Sequence, residues 1–123
     1  MATSDSRVKE FIENNPKVFA AGGEFDDAEF RDVAACLMLR EFYKDFETER
    51  TISFHSRIKK AKRFLGLYQK INEILGYTDI STFHISSKQS TGVQTRQVRD
   101  FTRANKSHIS NARCLTEGID IPS

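Results

Sequence analysis

Sorted by chemical type, the residues of this 123-residue chain that could do chemistry are three histidines, two cysteines, a group of acids and two basic stretches. His55, His84 and His108 are scattered without metal-ligand spacing, and Cys36 and Cys114 do not complete a set. Glu24, Asp26, Asp27 and Glu29 cluster where a helix is expected to begin, and the positive end of the helix dipole accounts for them there. No nucleophile elbow, phosphate loop or dinucleotide-binding pattern occurs, and Gly22-Gly23 alone is too little to stand for one. The expectation is therefore a non-enzymatic protein without metal or cofactor. The basic stretches are different. Lys59, Lys60, Lys62 and Arg63 form one, and Arg96, Arg99, Arg103, Lys106 and Arg113 form the other.

These cations belong to a wider sorting of charge. Residues 1–49 hold six Lys or Arg against twelve Asp or Glu, a balance of −6, whereas residues 50–123 hold thirteen against five, a balance of +8. The overall +2 hides an acidic and a basic half. A concentrated basic surface attracts polyanions and makes their encounter salt-dependent, whatever the total charge. The same sorting would let copies of the chain dock head to tail.

The elements that must position these residues follow from apolar spacing. Val8, Phe11 and Ile12 predict a first helix from Ser4 or Asp5 to about Asn14. Pro16 opens a short second turn, which Ala21-Gly22-Gly23 ends. A strongly apolar third helix is expected from Asp26 and Asp27 to about Phe46, with Cys36 buried in it as a small hydrophobe. A fourth is expected from Ile52 to Gly76, its apolar side carrying Phe54, Ile58, Ala61, Leu65, Tyr68 and Leu75. Lys59, Arg63 and Lys70 fall on the opposite side, with Lys62 nearby. Residues 80–86 read as a short strand or short helix, 86–92 as a polar hinge, and 94–102 and 107–117 as two short helices. Residues 119–121 could add a short strand.

The run Thr95-Arg96-Gln97-Val98-Arg99-Asp100-Phe101-Thr102-Arg103-Ala104-Asn105-Lys106-Ser107-His108-Ile109-Ser110-Asn111 resembles a helix-turn-helix unit. Lys106-Ser107-His108-Ile109-Ser110 is similar to the start of a recognition helix in bacterial and phage repressors, and Leu115 to Ile119 resembles the exit into a wing. Carried over by position, the resemblance implies that Lys106, His108, Ser110, Asn111 and Arg113 face DNA bases or phosphates. Arg96, Arg99 and Arg103 would then contact the backbone. Two positions depart from the pattern. Arg99 stands where a small residue is usual, and Arg103 stands where glycine is usual.

The fold expected from the sequence is all-α. Residues 1–77 would form a compact helical bundle with an acidic half suited to self-association, and residues 78–123 a smaller basic helical part. The expected function is nucleic-acid binding, DNA before RNA, through Arg96, Arg99, Arg103, Lys106, His108, Asn111 and Arg113, with Lys59, Lys62 and Arg63 as secondary contacts. The alternative is a viral or regulatory interaction or assembly subunit that uses its charged ends to form homo-oligomers or dock a partner. Poverty in cysteine, no apolar signal core and no long apolar run favour a cytoplasmic protein without a membrane partner.

Overall fold

A computed structural model of the chain describes residues 5–112, and these divide between Glu47 and Thr48 into two compact units. The division precedes the expected boundary after Tyr77. On it the charges sort as six basic against eleven acidic residues in the first unit, and thirteen against six in the second.

The first unit is helical: α1 (Asp5–Glu13), α2 (Pro16–Phe19) and α3 (Phe30–Asp45). Val8 of α1 and Val33, Cys36 and Tyr43 of α3 are buried, joined by Val18 and Phe25. The turn between α2 and α3 is fixed by its backbone. Phe25 N–H donates to Val18 O at 2.8 Å. A Cβ on Gly23 would stand 2.5 Å from that same Val18 carbonyl oxygen, a distance only glycine avoids. Asp26 and Asp27 lie ahead of α3, not in its first turn. Asp26 accepts instead from the Gly22 amide at 3.0 Å. Burial, with Asp32 as a smaller influence, pushes the Cys36 thiol well above its usual range, so it stays protonated and behaves as a hydrophobe.

The second unit overturns the all-α, helical-bundle expectation. It holds β1 (Arg50–His55), α4 (Ile58–Ile74), β2 (Ser81–Ser86), α5 (Thr91–Arg103) and β3 (Ser107–Ala112). The three strands form one parallel sheet in the order β1-β3-β2, with Ile52 beside Ile109 and Phe83 beside Ile109 in register. The helix expected from Ile52 splits into β1 and α4. Phe54 and Ile58 are four apart, so the last outward strand residue and the first helical apolar residue imitate one helix face. The second helix expected at 107–117 is a strand over its described part. The expected strand at 119–121 lies outside the described residues, as do Ser4, Arg113, Cys114 and the stretch from Leu115 to Ile119.

Side chains alternate along a strand, so the sheet has two dissimilar sides. Ile85, Ile109 and Phe101 make an apolar cluster under α5, with Phe83 packed against it. Tyr68 and Phe64 of α4 lie over His108, on the other side. The two helices therefore cover opposite faces. Two right-handed crossovers running in opposite directions along a sheet give this arrangement. Ala61, Phe64, Tyr68 and Ile71 form the buried stripe of α4, and just beyond its C-cap Leu75 stands Gly76, where φ is +77° and the left-handed conformation suits glycine. Contacts of α5 fall on β2 and β3. Ile52 and Phe54 point to that same side from edge strand β1 and remain 43% and 57% exposed.

Candidate functional site

In parallel α/β sheets ligands bind beyond the carboxyl ends of the strands, because the loops there are free of the sheet and helix N-termini converge on them. Here that edge gathers three segments: Ser56-Arg57 between β1 and α4, residues 87–90 between β2 and α5, and the end of β3.

The β2–α5 loop is held by its own side chains. Gln89 Oε1 accepts from the Ser86 amide at 3.2 Å, and Gln89 Nε2 donates to His84 O at the same distance. Gln94 Nε2 donates to Ser86 O at 2.7 Å and to Gln89 O at 3.3 Å. Ser90 Oγ caps α5 by accepting from the Val93 amide at 3.2 Å. Ser87 and Lys88 are left exposed on a fixed scaffold. Arg57, at the N-cap of α4, is exposed on the same edge.

The surrounding charge is one-sided. The four described carboxylates of this unit each meet a cation: Glu49 with Arg50, Glu73 with Lys70, Asp79 with Lys106 and Asp100 with Arg99. Arg57, Lys59, Lys60, Lys62, Lys88, Arg96 and Arg103 make no ion pair among the described residues.

The fold redistributes the residues singled out from sequence. Arg96, Arg99 and Arg103 do share an exposed stripe, on the outer side of α5. Lys59, Lys62 and Arg63 share the outer side of α4, across the sheet from that stripe. The two groups therefore do not form a single face. Lys106 sits at the opposite, amino edge, 3.5 Å from Asp79. His108 and Asn111 are wholly buried in the middle strand and are removed from any base-contacting role. Sequence reasoning passed over Arg57 and Lys88 because isolated loop cations carry no periodic signal.

His108 belongs to a polar layer between the sheet and α4. Thr51, Ser53 and His55 of β1 face it, as do Thr82, His84 and Ser86 of β2, and in β3 only Ala112 interrupts His108 and Ser110. His108 Nδ1 lies 2.8 Å from Thr51 Oγ1, and its Nε2 lies 3.0 Å from Ser53 Oγ. Ser53 Oγ is also 2.8 Å from His55 Nε2, and His84 Nδ1 is 2.8 Å from Ser110 Oγ. Burial, with His55 nearby as a lesser cause, lowers the His108 imidazole to about 4. Burial also lowers His84, helped by Lys62 and His55. Both imidazoles are therefore neutral at pH 7. Among the described residues no group of His, Cys, Asp or Glu could hold a metal ion, and no helix is long and apolar enough to cross a membrane.

Comparison of the chain with known protein families, curated proteins and solved structures gave no match.

Proposed function

We propose that the second unit is a non-enzymatic nucleic-acid-binding module that holds a phosphodiester backbone at the carboxyl edge of its parallel sheet. The observation that carries this reading is the set of unmatched cations on a unit whose described carboxylates are all engaged, with Arg57 and Lys88 on the two connections that flank the edge. The serine-rich loop braced by Gln89 and Gln94 supports it, since a fixed loop binds without first being ordered. Lys59, Lys60 and Lys62 extend the positive field down one side and Arg96 and Arg103 down the other. Contacts of this kind position a backbone without reading sequence. Scarce cysteine, with Cys36 free and buried, fits a reducing, intracellular setting.

Fluorescence anisotropy with labelled single-stranded and duplex DNA and RNA at about 50 mM salt tests the reading, with affinity expected to fall steeply by about 200 mM. Failure of every probe to bind at the lower salt ends it.

One observation favours a second reading, an assembly subunit: the acidic first unit and the basic second unit are complementary in charge. Oligomers that dissolve as salt rises, without nucleic-acid affinity, would select it.

A further inference from the structure

We propose that the polar layer under α4 is a proton-operated latch: with its histidines neutral it holds α4 and β1 on the middle strand, and protonation releases α4 while α5 stays in place. Parallel strands covered on both faces ordinarily bury aliphatic side chains. This sheet does so only on the α5 side, where Ile85, Ile109 and Phe101 cluster. On the α4 side the contact is made by imidazoles and hydroxyls.

The layer is built for neutral rings. Ser53 Oγ stands between His55 Nε2 and His108 Nε2 and carries a single proton, so it can donate to only one of them. Protonating both rings would set two like charges on either side of this one oxygen, 3.0 and 2.8 Å from it. His84 Nε2 is buried and has no hydrogen-bond partner among the described residues, so a proton added there would be a donor with nothing among them to receive it. Among the described residues, the titratable groups that face the layer are His55 on β1, His84 on β2 and Tyr68 on α4, and Lys62, on the exposed side of α4, acts on His84 from a distance. None of them supplies negative charge at neutral pH. A proton on His108 would therefore sit at 0% exposure without a counter-ion among the described residues, against the Phe64 and Tyr68 rings. Moving α4 aside admits water and relieves this. The α5 side holds no ionisable group in its cluster and gives way to no such proton.

Hydrogen exchange of the full chain followed by NMR at pH 7.5 and 5, corrected for intrinsic rates, tests the latch. The expected result is that α4 and β1 amides open about thirtyfold more often at pH 5, in an opening that α5 amides do not share and that lies below unfolding of the whole unit in free energy. The His108 ring protons should titrate near 4. His108→Gln keeps hydrogen-bonding atoms without the titration, and should cut the acid-induced opening at least tenfold. Opening of α4 and α5 together, or of neither, overturns the proposal. If His108→Gln does not fold, the exchange pattern of the unaltered chain still decides.

Discussion

The hydroxyl of Ser53 lies 3.0 Å from Nε2 of His108 and ties the edge strand to the middle strand through side chains as well as backbone. The same oxygen lies 2.8 Å from His55 Nε2, so one small residue serves two rings. Ser53→Ala leaves a buried imidazole nitrogen without a partner, and this costs about 1–3 kcal/mol. Urea unfolding followed by circular dichroism should show the loss as a lower midpoint at unchanged slope. A midpoint equal to that of the unaltered chain would mean the bridge contributes nothing net.

Stability of the second unit should fall in mild acid. His108 holds its proton with a folded value of about 4, below the usual 6.5 of an unfolded histidine. The unfolded chain therefore takes up protons first, and acid favours it. Stability is complete above about pH 6.5 and declines as pH falls toward 4, by about 3 kcal/mol from this ring alone. His84, lowered in the same sense, adds to the decline. Urea midpoints at a series of pH values check this, and a flat profile between 7 and 4.5 would contradict it.

What could be read in the sequence was whatever packs by helical period. Val8 with Phe11 and Ile12, the apolar run of α3, and a helix covering 94–102 are all present as elements. Strand β3 could not be read, because its inward residues are Ser, His and Asn, types that normally mark a wet surface. His108 and Ser110 are buried where Thr51, Ser53 and His84 on the neighbouring strands offer matching polar atoms, a pairing visible only once strands 57 or 26 residues apart are side by side. Strand β1 was hidden for another reason. As an edge strand with Ile52 and Phe54 half-uncovered, it carries a weak alternation, and its last apolar residue falls in phase with α4. The surplus of cations in the second half was plain in the sequence. Their division between two faces follows from the β1-β3-β2 order, which composition does not encode.

The pair Ile52 and Ile109 separates burial from residue type. They are opposite one another in register, yet Ile109 is 1% exposed between Ile85 and Phe101 while Ile52 is 43% exposed. Ile109→Ala removes atoms from a closed cluster and should cost about 2–5 kcal/mol. Ile52→Ala should cost well under half as much, since water already reaches that side chain. Comparable losses in unfolding experiments would show that the face of β1 is covered in solution.

The location of the proposed nucleic-acid interface is decided by two charge reversals made in parallel. Arg57→Glu with Lys88→Glu alters the carboxyl edge, where both side chains are exposed and without ion pairs among the described residues. Arg99→Glu with Arg103→Glu alters the outer stripe of α5, where Arg99 already meets Asp100 at 3.4 Å. Both pairs change net charge by the same amount, so long-range attraction is weakened about equally and the difference reports local binding. The edge pair should lower affinity by tenfold or more, and should reduce the salt slope by about 0.9 for each phosphate that is no longer neutralised. The α5 pair should produce the smaller effect. If the order is reversed, the backbone lies along α5 and the carboxyl edge is not the site. Thermal unfolding of both variants separates binding from stability, since all four residues lie outside the buried core.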